Sequence, residues 1–439
     1  MKFKYSPLLS MAFYRSWIGG GGDLVRRYTS SMADDVEIAE EVVKILKTHV
    51  AHLAEVGVIP REAAERIAKA LDEVDYDALA KGGFEDIHEA VEKWVIDRVG
   101  EEAGGWLGLG RSRNDHVAAA IRLAALRKLA ELKRGLAALR CALAKRALQY
   151  ADCAMPSFTH FQPAQAITFG HYLLSIDELV EEFSRALAGV EPLLKRSPLG
   201  AGPAGGVKTP IDRRRLAKAL GFEDVVGNAL YASGSRFFAS AAASIVVSFL
   251  VELSRYVDDF IRWNSPAIGY VKAPDSHVST SSIMPHKRNL VTLEVLRARI
   301  SEAVGHLTAL YAVQAKIGAG YSLDLQEATR HLWAILKIAG EGVEVLRDFV
   351  EGLEFNCEKA RLDAETYYAT SSDTAEAIAL SGVPFRRAYF QLAEEIKRGS
   401  AKLLSPEEAV KRPTEGSANP EEVRRAASAR LIFCKTPAF

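Results

Sequence analysis

Apolar residues recur three and four positions apart along most of the chain, the spacing that gathers them on one face of an α-helix. Between residues 114 and 151, Leu and Ala follow this spacing and Lys and Arg occupy the other face. No run of alternating β-branched residues stands out, so an all-α protein is expected. The predicted helices cover residues 35–55, 60–73, 86–99, 114–151, 170–193, 237–263, 291–316 and 326–351.

Helices of this length, joined by few short connections, imply a long central helical bundle. Several are apolar on more than one face and need more partners than one chain supplies, so a homo-oligomer is expected. We place an N-terminal helical domain at residues 1–110, the central bundle at 111–360 and a small C-terminal helical domain at 361–439. Residues 197–210 are rich in Gly and Pro and are predicted to form a loop.

Charge and cysteine content narrow the class of protein. The 56 basic and 56 acidic residues balance, which indicates neither a nucleic-acid partner nor a membrane surface. The uncharged run 237–251 is short for a membrane span and is interpreted as a buried helix, and no signal peptide is expected at the N-terminus. The four cysteines are widely spaced, which predicts a reducing compartment and no zinc site. Cys141 and Cys153 are expected to be ordinary core or surface residues rather than a disulfide.

Residues 276–289 form a polar loop between two predicted helices and read Ser-His-Val-Ser-Thr-Ser-Ser-Ile-Met-Pro-His-Lys-Arg-Asn. Pro274 and Pro285 disfavour helix in this region. Lys287 can neutralise a carboxylate, Asn289 can hydrogen-bond to it, and a serine hydroxyl can move a proton. On composition alone a solvated inter-helix loop is the favoured interpretation, because Ser/Thr clusters are usually turns.

Two further motifs carry candidate chemistry. Residues 110–115 read Gly-Arg-Ser-Arg-Asn-Asp at the start of a predicted helix, where Asn114 or Asp115 is expected to be the N-cap. The free N–H groups of that helix start, with the two arginines, predict an anion site, although a capped helix with solvated arginines fits too. Residues 155–165 are expected to form a Pro-punctuated loop whose His160 suits acid/base work, unless it is a plain surface histidine.

Weaker signals come from the residues around these motifs. Tyr321 and Gln326 offer neutral hydrogen-bond donors to a polar ligand. His88 stands one helical turn before Glu92, a spacing that also fits a local ion pair.

The loop at 280–290 resembles the signature Gly-Ser-Ser-x-Met-Pro-x-Lys-x-Asn-Pro of the fumarase/aspartase superfamily, with Thr280 and Leu290 as departures. The Gly-Arg-Ser-Arg-Asn-Asp and Thr-His-x-Gln-x-Ala-Gln blocks are intact, and Trp17 begins a loose echo of the family's opening motif. Over nearly its whole length the chain is similar to the argininosuccinate lyase family within that superfamily.

The resemblance implies a fumarase/aspartase-like fold and the elimination of fumarate from argininosuccinate, which releases arginine. It implies Ser281 as the base, with Ser282 as the local rival, His160 as the acid/base partner and Lys287 on the substrate carboxylate. Which of Ser281 and His160 takes the proton stays open. The substrate-binding residues that the resemblance implies are Ser31, Arg113, Asn114, Thr159, Arg236, Asn289, Tyr321 and Gln326.

The same resemblance implies a cytoplasmic homotetramer whose sites are each built from three subunits, and a loop that closes over the substrate. Neither a metal nor an organic cofactor is expected. Family positions are altered at Gly108 and Leu109, where His-Thr is usual, at Ser322 in place of Asn, and at Thr329 in place of Lys. Arg330 is a hypothetical substitute for that lysine, although an adjacent helical position points elsewhere.

Two rival functions remain at this level. Adenylosuccinate lyases often carry the Met-Pro-His-Lys-Arg-Asn found at 284–289, but the 110–115 block, Tyr321 and Gln326 favour the argininosuccinate enzymes. A structural protein that kept the fold and lost activity is the non-enzymatic alternative, motivated by the altered positions.

Overall fold

The computed structural model describes residues 22–435, so the motif beginning at Trp17 lies outside the described residues. Helices dominate this range, which confirms the all-α class. The helices are α1 Asp23–Thr29, α2 Met32–Asp35, α3 Ala39–Glu55, α4 Arg61–Asp72, α5 Tyr76–Lys81, α6 Ile87–Gly104, α7 Arg113–Gln149, α8 Phe169–Leu194, α9 Arg213–Leu220, α10 Ala229–Gly234, α11 Phe237–Trp263, α12 Val291–Gln314, α13 Asp324–Gly352, α14 Cys357–Thr366, α15 Ser371–Leu380, α16 Phe385–Lys397, α17 Pro406–Ala409 and α18 Pro420–Lys435.

The predicted helices are confirmed to within a few residues at each end, and α11 has the predicted bounds. Pro60 stands at the N-cap of α4, where its fixed φ suits a helix start. The helix α6 is interrupted at Gly100, whose φ of 78° is left-handed and cannot continue the helix.

The chain between α7 and α8 forms a β-hairpin, so the expected loop and the expected absence of strands are wrong here. Strand β1 (Ala154–Thr159) pairs antiparallel with β2 (Gln162–Thr168). Thr159 faces Gln162 across the end of the ladder, and the two residues between them, His160 and Phe161, have φ of 54° and 60°. Two consecutive positive φ values are those of a type I′ turn, whose twist matches the strands it joins.

Three 3-10 helices, Val36–Ile38, Gly105–Gly108 and Asp275–His277, and four two-residue strands complete the described secondary structure. The strands are β3 Arg196–Ser197, β4 Asp224–Val225, β5 Val271–Lys272 and β6 Glu354–Phe355. Strand β3 pairs parallel with β4, and β5 pairs antiparallel with β6.

The chain divides into two compact units. The first combines the described part of Met1–Ala130 with Ala186–Val246 and Ala303–Lys337, and the second combines Glu131–Arg185, Val247–Glu302 and the described part of Ile338–Phe439. Each unit gathers segments that are distant in sequence, because the long helices pass from one set of segments to the other. Domain boundaries near residues 110 and 360 stay a prediction.

Aromatic side chains form much of the core of the second unit. Phe169 stacks on Phe355 with ring centroids 3.8 Å apart, and Phe260 lies 5.3 Å from Phe349. Trp263 packs edge-on against Phe169 at 6.5 Å. Offset and edge-to-face contacts of this kind add to the free energy gained by burying the rings. They fix the end of α11 and the start of α8, which follows the hairpin directly.

All four cysteines form disulfides, so the expectation that Cys141 and Cys153 are unpaired is wrong. Cys141 is bonded to Cys434, and Cys153 is bonded to Cys357. The partners are 293 and 204 residues apart, so no local spacing in the sequence reveals them. The argument for a reducing compartment from cysteine spacing therefore fails.

The helix α11 is long and apolar enough to cross a membrane by composition, with a mean hydropathy of 1.9 in its most apolar window. Of that window, 56% is buried inside the protein. This burial is typical of a core helix in a soluble protein and agrees with the sequence-based interpretation.

Candidate active site

A cavity of about 160 Å³ in the first unit brings together six of the predicted substrate-binding residues. They come from four parts of the chain that are far apart in sequence. The six are Ser31, Arg113, Asn114, Arg236, Tyr321 and Gln326. Asp34, Asp35, Asp86, His88 and Thr329 also line this cavity, which therefore holds both carboxylates and guanidinium groups.

The start of α7 places Arg113 and Asn114 at the cavity. Ser112, rather than Asn114 or Asp115, caps this helix: its Oγ accepts from the Asn114 N–H at 3.2 Å, and its own N–H donates to Asp115 Oδ1 at 3.0 Å. Asp115 is fully buried, and its Oδ2 accepts from the Gly202 N–H at 2.8 Å. Burial raises the pKa of Asp115 to about 6, while these N–H donors oppose the rise. Asp115 thus ties the Gly-rich loop to the helix start.

The two arginines of this motif have different surroundings. Arg111 is buried and pairs with Glu92 at 2.5 Å, so it does not contribute to the cavity. Arg113 lines the cavity and donates to Asp86, which also caps α6 by accepting from the Glu89 N–H at 2.7 Å. The predicted anion site at this helix start is therefore limited to Arg113.

Arg236 is a buried cation whose hydrogen-bonding capacity is only partly used. Its Nη1 donates to the carbonyls of Ser233 and Ser235 at 3.2 and 3.1 Å. Its Nε and Nη2 are buried and have no hydrogen-bond partner within residues 22–435. Burial lowers the pKa of Arg236 to about 10, so it remains charged at neutral pH. Buried charges are normally paired, so two idle donors at a cavity wall are well placed for an anionic ligand.

The opposite sign of charge is supplied by a carboxyl group close to Ser31. Ser31 Oγ donates to Asp35 Oδ2 at 2.7 Å, and the Ile87 N–H donates to the same oxygen at 3.2 Å. Burial, with a smaller contribution from the charge of Asp86, raises the pKa of Asp35 to about 7. A carboxyl group that titrates near neutral pH at a cavity is a candidate functional group.

His88 is buried beside this cavity, and neither ring nitrogen has a hydrogen-bond partner among the described residues. Burial lowers its pKa well below the usual value, so the ring is neutral and does not form the local ion pair considered with Glu92. Sequence reasoning missed Asp86 as a cavity residue. The signal was present in Glu85-Asp86-Ile87-His88, an acidic pair just before a helix start.

The β-hairpin tip in the second unit carries Thr159 and His160, both of which are exposed. The positive φ of His160 fixes its backbone in the turn, so the imidazole projects from a rigid two-residue connection. His160 lines a cavity of about 620 Å³ in this unit together with Tyr172, Asp258 and Arg297.

The polar loop that carries Ser281, Lys287 and Asn289 also belongs to the second unit. Two backbone hydrogen bonds close its neck, from the Ser279 N–H to the Asn289 carbonyl at 2.9 Å and in the reverse direction at 2.8 Å. His277 anchors the neck, since its buried ring contacts Thr292 Oγ1 at 2.7 Å and Asp348 Oδ2 at 3.0 Å.

Inside the loop, Ser281 and its neighbour Ser282 differ in their contacts. Ser281 Oγ accepts from the N–H groups of Ile283 and Met284, both at 3.3 Å, and the side chain is partly buried. Ser282 and Lys287 are exposed. Donors directed at a hydroxyl oxygen favour its ionised form, which is the form that can act as a base.

Comparisons with known proteins identify the family. A family profile described as Lyase matches residues 22–305. The argininosuccinate lyase of Pyrobaculum neutrophilum is 74% identical over 97% of this chain and 99% of that protein. The argininosuccinate lyase of Sulfurisphaera tokodaii is 41% identical over 94% of this chain and 90% of that protein. The chain belongs to the argininosuccinate lyase family.

A solved structure supports the fold independently of close sequence likeness. An EDDS lyase variant with bound fumarate superposes with a TM-score of 0.82 at 23% identity, over 95% of this chain and 90% of that one. The fumarase/aspartase-like fold expected from the sequence is therefore confirmed. The family profile and the curated relatives show that the protein is a lyase.

Three of the positions that depart from the argininosuccinate lyase pattern have defined surroundings. The Leu109 carbonyl lies 2.7 Å from His49 Nε2, and Ser322 Oγ donates to Asp324 at the start of α13. Thr329 lines the cavity, whereas Arg330 pairs with Asp34 and Glu327, both at 3.0 Å. The guanidinium of Arg330 is thus held by carboxylates.

Proposed function

We propose that this chain cleaves argininosuccinate into fumarate and arginine. The observation that carries the proposal is the gathering of six family substrate-binding residues at one cavity, in a chain 74% identical to an argininosuccinate lyase. The altered family positions do not remove any residue assigned to the chemistry, which favours an active enzyme over a structural relative.

The reaction is an elimination. A base removes a proton from the carbon beside a succinyl carboxylate, which becomes a doubly charged aci-carboxylate. The electron pair then forms the double bond of fumarate as the C–N bond breaks, and the nitrogen leaves with a proton as part of arginine. The barrier depends mainly on stabilising the dianion, for which fixed donors and cations are best suited.

Ser281 is the proposed base. A free serine hydroxyl is far too weak, and the two N–H groups 3.3 Å from its oxygen would lower its pKa in the closed site. Lys287 and Asn289 would bind the carboxylate that accepts charge, and Thr159 and Asn114 would add hydrogen bonds. His160 would supply the complementary acid/base function, protonating the leaving nitrogen directly or through water.

The charges of the cavity suit the other half of the substrate. Asp34 and Asp35 would face the cationic groups of arginine, although Asp34 already pairs with Arg330 at 3.0 Å. The idle donors of Arg236 match a substrate carboxylate. Tyr321 and Gln326 would orient the ligand, although Gln326 Nε2 already donates to the Thr29 carbonyl at 3.0 Å.

We further propose that the active form is a homotetramer with sites shared between subunits. The 160 Å³ cavity is smaller than the roughly 300–1,000 Å³ of complete small-molecule sites, so it would be one part of a larger site. The exposed Thr159, His160 and Lys287 would complete a site from neighbouring subunits. Light scattering should give the mass of four chains, and an active monomer would refute the shared site.

A cytoplasmic location is proposed with this function. The support for this location is the membership of the argininosuccinate lyase family, and the two disulfides are not evidence for it.

The activity is tested by following the ultraviolet absorbance of fumarate with purified protein and argininosuccinate, with adenylosuccinate as the comparison substrate. Fumarate release from argininosuccinate alone is expected. Release from adenylosuccinate alone would show that the chain is an adenylosuccinate lyase. No release from either substrate would favour a structural protein that has lost activity.

A further inference from the structure

The β-hairpin that carries Thr159 and His160 is held along one strand by the C-terminal part of the chain. The Ala166 N–H of β2 donates to the Ala369 carbonyl at 2.9 Å, which extends the sheet hydrogen bonding to the segment after α14. Ala166 is fully buried and belongs to one apolar cluster with Ala364, Ala369, Ala409 and Val410. Small side chains at these positions let the strand approach the C-terminal helices closely.

A buried ion pair lies beside this contact. Arg412 donates two hydrogen bonds to Asp373, from Nε to Oδ1 at 2.7 Å and from Nη2 to Oδ2 at 2.9 Å, and both side chains are largely buried. Gln165 of β2 lies against both partners: one end of its side-chain amide is 3.4 Å from Asp373 Oδ1 and 3.0 and 3.2 Å from Arg412 Nε and Nη2. The two parallel hydrogen bonds between Arg412 and Asp373 fix the orientation of the two side chains as well as the distance between them.

The other end of the hairpin is fixed covalently. Cys153 immediately precedes β1 and is bonded to Cys357, the first residue of α14, with Cα atoms 5.2 Å apart. The Cys153 carbonyl also accepts from the Phe169 N–H at 2.9 Å, which joins the base of the hairpin to the start of α8.

Among the described residues the tip has weaker support, chiefly the Arg262 guanidinium, which lies 5.2 Å from the centroid of the Phe161 ring. Thr159 and His160 are exposed, and the Phe161 ring is 80% exposed. The orientation of the tip therefore depends on the strands below it, and those strands are held by Cys357, Ala369, Asp373 and Arg412. Misplacement of a catalytic group by about 1 Å costs up to roughly 100-fold in rate.

We propose that residues 357–412 form a brace for the 154–168 hairpin, in which Asp373 is a positioning residue that acts through Arg412 and Gln165 to place His160 for proton transfer. This inference rests on the proposed role of His160. Asp373 does not touch the substrate in this scheme, so its influence passes entirely through the hairpin.

The test is a double-mutant cycle between Asp373 and His160. Asp373→Asn keeps the size of the side chain and removes the charge that Arg412 requires. We expect kcat with argininosuccinate to fall about 10- to 100-fold while KM changes less than about twofold, because binding of the substrate is retained. In a His160→Asn background the same substitution should change kcat by less than about threefold.

Asp177→Asn is the matched control. Asp177 is also buried and accepts a bidentate pair of hydrogen bonds from Arg140 at 2.7 and 3.1 Å, with a further one from Arg430, but it lies on α8 rather than at the hairpin. It should lower the unfolding temperature as Asp373→Asn does, with the kcat of the folded enzyme kept within about twofold of wild type.

Gln165→Ala keeps the test valid if Asp373→Asn does not fold, since this side chain is mostly exposed and its loss leaves the ion pair intact. It should give a smaller loss of kcat that again disappears in the His160→Asn background. An equal fold-loss in both backgrounds, or a kcat within about twofold of wild type for the folded variants, overturns the brace. Full turnover by His160→Asn alone would instead reject the proposed role of His160.

Discussion

The side-chain oxygen of Ser281 accepts the N–H of Met284 at 3.3 Å, so the candidate base is held by the backbone of its own loop. A second donor, the Ile283 N–H, lies at the same distance. This arrangement distinguishes Ser281 from the adjacent Ser282 on physical grounds, whereas the sequence pattern distinguishes them only by register.

Replacement of the hydroxyl tests that distinction. Ser281→Ala should reduce kcat by at least about 100- to 10,000-fold, the usual contribution of acid–base catalysis, without altering the assembly, since a loop hydroxyl contributes little packing. Ser282→Ala, the matched control, should keep most of the activity. Fumarate release by both variants is the measurement, and unimpaired turnover of Ser281→Ala would exclude it as the base.

A second prediction concerns the charge at position 287. Lys287→Met removes the ammonium group while keeping a similar length, so the dianion loses a cation and kcat should fall by roughly 100-fold or more. Arg288→Met is the control, because Arg288 is engaged with Asp275 at 2.5 Å and has no proposed contact with the substrate. Retention of most of the activity by Lys287→Met would remove Lys287 from the carboxylate role.

A third prediction concerns pH and Asp35. Its pKa is about 7 in the folded protein against an ordinary 3.8, so between these values the folded state binds the proton that the unfolded state has lost. The free energy of unfolding must therefore decrease as pH rises from about 3.8 to about 7. Above about pH 7 the full free-energy cost of burying the ionised Asp35 is present.

Asp35→Asn cannot ionise and escapes this penalty. Its unfolding temperature, relative to wild type, should be higher at about pH 8 than at about pH 5. Thermal unfolding of both proteins at the two pH values measures this difference. If the unfolding temperatures of Asp35→Asn and wild type differ by the same amount at both pH values, burial does not raise the pKa of the Asp35 carboxyl.

A fourth prediction concerns the bond between Cys141 and Cys434. Cys434→Ser should lower the free energy of unfolding by about 2–5 kcal/mol under non-reducing conditions, because the unfolded chain gains freedom. Treatment of wild type with a reductant should lower the free energy of unfolding by at least as much, because it opens both disulfides. Denatured, unreduced wild type should show no reactive thiol to a thiol reagent, and detection of four would contradict both disulfides.

Much of the helical architecture could be predicted from the sequence. The helix α11 begins and ends where the apolar pattern changes, because local periodicity and tertiary burial agree there. The hairpin could not be predicted in the same way. Its strands have six and seven residues, contain Pro156 and Pro163, and are interrupted by an irregularity between Pro156 and Phe158, so they lack clean alternation.

The candidate site was predictable where a family motif fixed the residue, as at Asn114 and Tyr321. Properties that depend on neighbours distant in sequence were not. The idle donors of Arg236 and the raised pKa of Asp35 arise from burial by other segments, and the cap of α7 lies two residues before the predicted Asn114. The residue type shows which reactions and hydrogen bonds a side chain is capable of. Its protonation state, and which of its hydrogen-bond donors stay unpaired, depend on packing.

The disulfides also constrain how the chain matures. The 153–357 bond encloses a stretch of chain that lies wholly inside the one enclosed by 141–434. During synthesis from the N-terminus, Cys357 leaves the ribosome 77 residues before Cys434 (434 minus 357), so the inner ring can close first. The Cys141–Cys434 bond then forms around a segment whose hairpin is already anchored by the inner disulfide. It attaches α18, the last of the described helices to be synthesised, to α7.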